Sequence, residues 1–313
     1  MLVMHKPVLT EELLAYLEPQ IKTGIFVDCT GGGGGHSERV IQCLSSESKL
    51  IILDVDEEAV TRLQKKFSDF KNVSVIKANF RNLDIVLKEL GISKLDGLFA
   101  DLGMSTFQLK ESKRGFSFLL EGPLDMRMDK SLKLSAYDIV NNFSIDSIVS
   151  ILKQFGEEKF AKRIAFSIGK KRAIKKINST SELANIVKEA IPEGYQRGMK
   201  IHPATKTFQA LRIYVNNELE SLEELLKKLD DLINPGGRVV FISFHSLEDR
   251  LIKEKFEYFG KECICPPRLP KCVCNKKKTF KILTKKPITA SIDERNANIL
   301  SRSAKLRAAE RLI

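Results

Sequence analysis

The stretch Gly24-Ile-Phe-Val-Asp-Cys-Thr-Gly-Gly-Gly-Gly-Gly-His-Ser37 decides the fold prediction. A short apolar run ends in an acid, Asp28, and is followed by five glycines and a segment with helical spacing from Glu38 to Leu44. This order is typical of the first strand, turn and helix of a doubly wound α/β fold. Glycine suits such a turn because it tolerates positive φ and lets a ligand approach the backbone. A flexible linker could also carry five glycines, but the position between a strand and a helix favours a binding turn.

Further strands alternate with helices on the C-terminal side of this stretch. Short apolar runs predict strands at 50–55, 73–77, 95–100 and 238–244, which implies a parallel sheet with right-handed crossovers. The alternation stops after Asp101, and the pattern from 136 to 191 is helical only. We therefore predict a discontinuous α/β domain, 1–108 and 213–313, with a mainly helical, substrate-binding insertion at 109–212. One long helix is expected from about Thr205 to Leu232, and the basic tail from Glu294 is expected to be partly helical.

The positive charge is concentrated in two blocks of the chain. The net charge is +12, with a balance of +9 in residues 150–215, +10 in 261–313 and −7 in the remainder. Such segregation predicts a polyanionic partner such as nucleic acid, although a solvated basic face would show the same pattern. No apolar run is long enough to span a bilayer, and the N-terminus lacks the layout of a signal peptide. We expect a cytoplasmic protein with no membrane partner.

Four of the six cysteines form two close pairs. Cys263-x-Cys265 and Cys272-x-Cys274 flank the sequence Pro-Pro-Arg-Leu-Pro. Disulfides are disfavoured in the cytosol, so zinc is the first special interpretation, although Cys-x-Cys is a less usual spacing than Cys-x-x-Cys. The alternative is four free thiols that pack a proline-rich turn. The sequence leaves this choice open, and no metal ligand is assigned.

Polar residues follow the predicted strands at their carboxyl ends, where open α/β sheets bind ligands. They are Asp28, Asp54, Asn79 with Phe80, Asp101, and Ser243 with His245. Asp54 lies about 20 residues beyond the glycines, where an acid can accept hydrogen bonds from both hydroxyls of a ribose. Phe80 could flank an adenine ring. Each residue alone is a weak signal, because many strands simply end in Asp; their joint placement predicts a nucleoside site.

The spacing of the glycines narrows the choice of ligand. A dinucleotide fingerprint requires Gly-x-Gly-x-x-Gly or Ala, but the third small position falls on His36, Ser37 or Glu38. The spacing therefore argues against a dinucleotide. An acid just before the glycines, such as Asp28, suits S-adenosylmethionine better, because that ligand has a cationic amino acid end and no pyrophosphate.

The sequence resembles a known family, the bacterial ribosomal RNA small-subunit methyltransferase H family. The resemblance extends over nearly the whole chain. The matching stretches are His5-Lys-Pro-Val-Leu9, Asp28 through Ser37, Asp101-Leu-Gly-Met-Ser-Thr-Phe-Gln-Leu109, Arg114-Gly-Phe-Ser-Phe118, Pro123-Leu-Asp-Met-Arg-Met128, His202 through Arg212, Ile242 through Arg250, and Ser303-Ala-Lys-Leu-Arg307.

The resemblance implies a class I, S-adenosylmethionine-dependent methyltransferase fold (a Rossmann-like doubly wound sheet) with a helical insertion. It also implies methylation of the exocyclic N4 amine of a cytidine in the decoding region, the P site, of 16S rRNA. The small ribosomal subunit is then the expected partner, and no DNA partner is expected. The family's cofactor contacts fall on Gly34, Gly35, His36, Asp54, Phe80, Asp101 and Gln108; the residues alone had already indicated the glycines, Asp54, Phe80 and Asp101.

Asp101 is the expected catalytic residue, because a carboxylate at the end of the fourth strand can accept hydrogen bonds from an amine as charge develops. It could instead hold the amino end of the cofactor. The candidate substrate-binding residues are Arg114, His202, Lys206, Arg212, Ser243 and His245. Two other functions remain open: a nicotinamide-dependent oxidoreductase, and a non-catalytic RNA-binding assembly factor on the same fold.

Overall fold

The computed structural model describes residues 7–18, 23–266 and 272–312. His5 and Lys6 of the first motif stretch lie outside this range. The described chain divides into two compact units. Unit 1 comprises Met1–Gly103 and Leu219–Ile313, and unit 2 comprises Met104–Glu218. These bounds lie a few residues outside the predicted insertion, 109–212, because a capped helix at Thr106–Lys110 and the ion pair between Arg212 and Glu218 both belong to unit 2.

The N-terminal part of unit 1 alternates strands and helices as expected. Its elements are α1 (Thr10–Leu17), β1 (Ile25–Asp28), α2 (Gly35–Ile41), β2 (Lys49–Asp54), α3 (Glu57–Lys66), β3 (Val73–Lys77), α4 (Leu83–Glu89) and β4 (Leu95–Asp101). Adjacent residues of a strand point to opposite faces of the sheet. Val27 and Ile51 therefore pack with α4 on one face, whereas Phe26 and Ile52 pack with α1, α2 and α3 on the other. Both faces are buried, as in a doubly wound sheet.

Unit 2 is helical. It contains α5 (Thr106–Lys110), α6 (Ala136–Asn142), α7 (Ile145–Gly156), α8 (Ala161–Ile174), α9 (Thr180–Ala190), α10 (Glu193–Gln196) and α11 (Thr205–Asn216). Its core is a cluster of aliphatic side chains from α6, α7, α8, α9 and α11. This core is separate from the two clusters of the sheet, so unit 2 has its own source of stability.

The predicted long helix from Thr205 to Leu232 is wrong, because Asn217 adopts a left-handed conformation with φ of 50° and ends α11. A second helix, α12 (Glu218–Leu232), follows at once. Asn is one of the few residues other than glycine that tolerates this conformation. The break coincides with the boundary between the units.

The C-terminal part of unit 1 completes the sheet. After α12 come β5 (Ile233–Ser243), α13 (Ser246–Gly260), β6 (Phe280–Ile282), β7 (Ile288–Thr289), α14 (Ile292–Ala297) and β8 (Lys305–Arg311). The strand order is β3-β2-β1-β4-β5-β8-β6, with β7 paired to β8. Strands β1 to β5 are parallel, and β8 is antiparallel to its neighbours.

The order 3-2-1-4-5 is that of a Rossmann-like sheet and confirms the predicted fold class. The tail is partly helical, as expected, in α14 and in a 3₁₀ turn over Ile299–Ser303, but β8, which lies inside the sheet, was missed. Among the described residues, no helix combines the length and apolar character that crossing a membrane requires.

Candidate active site

Three carboxylates lie at the ends of neighbouring strands in unit 1. Asp28 ends β1, Asp54 ends β2 and Asp101 ends β4, and β1 lies between the other two strands. The parallel arrangement brings all three to the same edge of the sheet. The structure therefore assembles the acids that the sequence placed at successive strand ends.

Asp28 holds the start of the glycine turn. Its Oδ1 accepts a hydrogen bond from the Thr30 N–H at 2.9 Å, and its Oδ2 accepts one from the Ser37 hydroxyl at 2.5 Å. The residue is 2% exposed, and burial raises the pKa of this carboxyl to about 6. Ser37 lies in α2, so Asp28 fastens the end of β1 to the helix beyond the glycines. No pattern in the sequence singles out Ser37 for this role.

The glycine turn lies against the end of β2. The Gly31 N–H donates to the Leu53 carbonyl at 2.7 Å, and the Gly32 N–H donates to Asp54 Oδ2 at 2.7 Å. A Cβ on Gly31 would come within 2.6 Å of the Ile52 side chain. Gly34, with φ of 71°, adopts the left-handed conformation that glycine tolerates best. These positions therefore need glycine for close packing and for backbone geometry.

Asp54 is half-buried and accepts a backbone hydrogen bond at each of its two carboxylate oxygens. Besides the Gly32 N–H, its other oxygen accepts from the Asp56 N–H at 2.9 Å. Desolvation by burial raises the pKa of Asp54, and these two backbone hydrogen bonds oppose that rise. Each carboxylate oxygen has more than one lone pair, so an orientation fixed in this way still leaves acceptor capacity for a ribose.

Phe80 lies beside the end of β3, in a 3₁₀ turn over Phe80–Asn82. Asn79 starts this turn, since its Oδ1 accepts from the Arg81 N–H at 3.0 Å. The Phe80 ring is partly buried against the apolar cluster that α4 and α12 cover. One part of the ring is thus fixed by packing, and the rest remains accessible to a ligand.

Of the three acids at the strand ends, Asp101 is the one whose hydrogen-bonding capacity is least satisfied. Its backbone N–H donates to Thr30 Oγ1 at 2.7 Å, and its Oδ2 lies 3.5 Å from His36 Nδ1. Its Oδ1 is buried and has no hydrogen-bond partner among the described residues. Desolvation, with a smaller contribution from the Glu248 carboxylate, raises the pKa of Asp101 to about 8. A buried acceptor without a donor is costly, which is a reason to expect a ligand donor there.

The ring of His36 bears on which carboxyl oxygen of a protonated Asp101 carries the hydrogen. The Nε2 atom lies 2.8 Å from the Val8 carbonyl oxygen, which can only accept, so Nε2 carries the hydrogen. Burial lowers the pKa of His36, and the neutral ring therefore presents a bare Nδ1 to Asp101. A protonated Asp101 with its hydrogen on Oδ2 faces this Nδ1, and Oδ1 is then left as an acceptor. The distance of 3.5 Å makes this contact long for a hydrogen bond.

Ser243 and His245, two candidate substrate residues of unit 1, make structural contacts. Ser243 is 1% exposed, and its hydroxyl donates to the Lys305 carbonyl at 3.4 Å. His245 caps α13, where its Nδ1 accepts from the Glu248 N–H at 3.4 Å. In return, the Glu248 carboxylate accepts from the Phe244 N–H at 2.9 Å. Both side chains thus fix the turn that follows β5.

Gln108, Arg114 and Arg212 are buried in unit 2. Gln108 takes part in a capping box, in which its Oε1 accepts from the Ser105 N–H at 3.1 Å. Arg114 is 3% exposed and donates to the carbonyls of Arg127 and Met128. Arg212 donates to both carboxylate oxygens of Glu218, at 2.8 and 2.9 Å. Each of these side chains has internal partners.

His202 and Lys206 are more accessible. The exposed His202 ring stacks on Phe118 with centroids 4.6 Å apart and an interplanar angle of 23°. Burial and the nearby Lys188 lower the pKa of His202, which favours the neutral ring. Lys206 donates to the Glu157 carbonyl at 3.1 Å. Of the five candidate residues in unit 2, these two present polar atoms nearest to solvent.

The sequence of residues 2–312 matches the family model described as the MraW methylase family. Several curated relatives align over almost their whole length. The proteins named ribosomal RNA small subunit methyltransferase H from Clostridium botulinum (strain 657) and Caldicellulosiruptor saccharolyticus are each 46% identical to this chain, over 98% of it and 99% of their own length. The protein of that name from Clostridioides difficile is 43% identical over the same shares. A solved structure described as a putative rRNA-methylase from Clostridium thermocellum superposes with a TM-score of 0.45 and 12% identity, over 99% of this chain and all of that one.

Proposed function

Because this chain belongs to the MraW methylase family, we propose that it is an S-adenosylmethionine-dependent methyltransferase of small-subunit ribosomal RNA. We propose further that it methylates the exocyclic N4 amine of a cytidine in the decoding region, the P site, of 16S rRNA. The observation that carries the proposal is the buried Oδ1 of Asp101, which lacks a donor at the strand ends. An exocyclic amine or the amino end of the cofactor supplies such a donor. Family membership favours this function over an oxidoreductase or a non-catalytic assembly factor.

Within unit 1, the cofactor site is formed by Gly34, Gly35, His36, Asp54, Phe80 and Asp101. S-adenosylmethionine supplies an electrophilic methyl group on a sulfonium. In this proposal Asp54 accepts hydrogen bonds from the ribose hydroxyls, and Phe80 flanks the adenine ring. The glycine turn fits this role because Cβ atoms at its positions would fill space or force strained backbone.

The cytosine amine is a poor nucleophile, because its lone pair is delocalised into the ring. Asp101 Oδ1 accepts a hydrogen bond from one N–H of that amine. This hydrogen bond orients the amine and therefore the lone pair on its nitrogen. The bond strengthens as positive charge develops on the nitrogen, which lowers the barrier. With a pKa of about 8, Asp101 is partly ionised near neutral pH, and the ionised form can take the released proton at Oδ1.

The RNA contacts are assigned to the basic blocks and to unit 2. Residues 150–215 and 261–313 carry balances of +9 and +10, which suits a polyanion. A target base must leave its stack before it can enter a pocket. The stacked pair of His202 and Phe118 offers an aromatic surface, and Lys206 offers a cation beside it. Arg114 and Arg212 are held inside the same unit by the Arg127 and Met128 carbonyls and by Glu218, respectively. An rRNA substrate implies that the enzyme acts in the cytoplasm.

The test is transfer of labelled methyl groups from S-adenosylmethionine to small ribosomal subunits that lack the modification, followed by nucleoside analysis. We expect N4-methylated cytidine at a single position. Asp101→Asn should lower kcat about 10²- to 10³-fold, because the amide cannot ionise and take the proton. Asp69→Asn, a change at an exposed acid on the surface, is the matched control and should retain full activity.

Two results would contradict the proposal. Binding of subunits without transfer of label would indicate an assembly factor, and label in another nucleoside would exclude the assigned amine. Full turnover and unchanged cofactor affinity in Asp101→Asn would leave the methyltransferase assignment intact but remove Asp101 from the mechanism.

A further inference from the structure

The four paired cysteines come together in space. In unit 1, Cys263 and Cys265 follow α13, and Cys272 and Cys274 precede β6. Their four sulfur atoms all lie within 4.8 Å of one another. Individual Sγ–Sγ distances are 3.4 Å for Cys263–Cys272, 3.9 Å for Cys265–Cys272, 3.5 Å for Cys272–Cys274 and 3.8 Å for Cys263–Cys274.

These distances match a single tetrahedral ion. Zinc binds thiolate sulfur at about 2.3 Å, and a regular tetrahedron of that radius separates the sulfurs by about 3.8 Å. In an iron–sulfur cluster the cysteines bind different irons, which spreads their sulfurs over a wider space. Four thiolates in a tetrahedral arrangement are the usual ligand set of structural zinc.

The cysteine side chains face one another, whereas the side chains between them do not. In each Cys-x-Cys pair both sulfurs join the cluster, and the intervening side chain is exposed to solvent. The intervening residues are the apolar Ile264, which is 50% exposed, and Val273, which is 72% exposed. The two pairs thus expose the apolar side chains between their cysteines and gather their thiols. This is the reverse of what free cysteines packing a turn would do, because unmodified cysteine is among the most buried residue types.

Backbone donors surround the sulfurs. The Ile264 N–H donates to Cys274 Sγ and the Val273 N–H donates to Cys265 Sγ, both at 3.4 Å, so each pair supports the other. The Cys265 N–H donates to Cys263 Sγ at the same distance. Such N–H···S bonds favour the charged thiolate that metal binding requires, and they orient it.

Positive charge follows the second pair. Lys276, Lys277 and Lys278 come directly after it, and Lys276 Nζ lies 4.6 Å from the centre of the Tyr258 ring of α13. A zinc ion with four thiolates carries a net charge of −2, which nearby ammonium groups stabilise.

We propose that Cys263, Cys265, Cys272 and Cys274 bind one Zn²⁺ ion in a structural site. The ion, rather than a hydrophobic core, holds together the two cysteine pairs that lie between α13 and β6. It also fixes the position at which Lys276, Lys277 and Lys278 begin. With four protein ligands it has no open position for substrate, so its role is distinct from methyl transfer.

The test is the metal content of the full-length protein, purified without a histidine tag or chelator and under reducing conditions. Elemental analysis should find about one zinc per chain. The double variant Cys263→Ser/Cys272→Ser removes one ligand from each pair and should contain none. Cys43→Ser, which changes a half-buried cysteine elsewhere in unit 1, is the matched control and should keep the zinc.

A second measurement does not depend on the folding of a variant. The wild-type protein, exchanged into Co²⁺, should show the intense visible bands of tetrahedral cobalt and thiolate-to-cobalt charge transfer in the near ultraviolet. Wild-type protein with four titratable thiols and no metal would overturn the proposal. So would two disulfides found by mass spectrometry, or iron in place of zinc.

Discussion

Two buried charged sites, one in each unit, differ in how their hydrogen bonds are satisfied. In unit 2, Arg212 and Glu218 are about 10% exposed and satisfy each other through two hydrogen bonds. Arg114, also buried, donates to two backbone carbonyls. In unit 1, Asp101 has one oxygen near His36, whereas its buried Oδ1 has no donor among the described residues.

This difference separates stability from function. A buried charge that keeps its hydrogen-bonding partners is compatible with a stable fold. Removing one partner leaves the other charge unpaired in an interior of low dielectric constant, which lowers the free energy of unfolding. A buried acceptor without a donor lowers stability, and it is retained where a ligand supplies the missing donor. The two kinds of site therefore respond in opposite ways to removal of their charge.

The largest loss of stability is expected at the paired site. Arg212→Met keeps the volume of the side chain but leaves the Glu218 carboxylate without its two hydrogen bonds. We expect the free energy of unfolding to fall by about 3–5 kcal/mol. Urea denaturation followed by circular dichroism measures this change.

The double variant Arg212→Met/Glu218→Leu is the control for this prediction. It removes both charges and should recover much of the stability lost in the single variant. A loss of less than about 1 kcal/mol in Arg212→Met would show that the pair does not behave as a buried one.

An effect of opposite sign is expected at Asp101. The folded pKa of about 8 lies above the usual value, so the wild-type protein without ligand loses stability as the pH rises from about 4 to 8. Asparagine resembles the protonated acid and does not titrate. Asp101→Asn should therefore match the wild type near pH 4 and exceed it at pH 8 by up to about 5 kcal/mol, since a change of one in pKa corresponds to about 1.4 kcal/mol.

Thermal unfolding at several pH values measures this prediction. Asp69→Asn, at an exposed acid, should show no such divergence from the wild type. A constant difference between Asp101→Asn and the wild type across the pH range would mean that the raised pKa of Asp101 has been wrongly assigned.

The smallest effect is expected where charges are exposed. Lys253 and Glu257 form an ion pair on the surface of α13 at 3.6 Å, with both side chains 54% exposed. Lys253→Met should change the free energy of unfolding by no more than about 0.5 kcal/mol, because solvent screens the pair. The same denaturation assay, run at low and high salt, measures it; a change as large as that of Arg212→Met would remove burial as the explanation of the contrast.

Much of unit 1 was predictable because most of its strands have a recognisable local sequence pattern. Short apolar runs ending in Asp28, Asp54 and Asp101 predicted both the strands and the edge where their carboxylates meet. The chain within 305–311 gave the opposite signal. Its Leu, Arg, Ala and Glu residues favour helix, yet it forms β8, because pairing with β5 outweighs local preference.

The details of the site depend on contacts that no local pattern contains. His36 and Asp101 are 65 positions apart in the sequence, and the tautomer of His36 depends on the Val8 carbonyl. Likewise, sequence cannot show whether the guanidinium of Arg114 or Arg212 is satisfied inside the protein. The four cysteines were recognisable as a possible ligand set, but only the distances between their sulfurs distinguish a metal site from packed thiols.

The position of β8 has a consequence for how the protein is made. Strand β5 lies between β4 and β8, and β8 comprises Lys305–Arg311, more than 60 residues further along the chain than the strand it pairs with. A ribosome that has just completed β5 has produced a strand with one open edge. Unit 2 has its own core and can fold while synthesis continues, but the sheet must wait for its last long strand. We therefore expect nascent chains that stop short of Lys305 to aggregate through the open edge of β5.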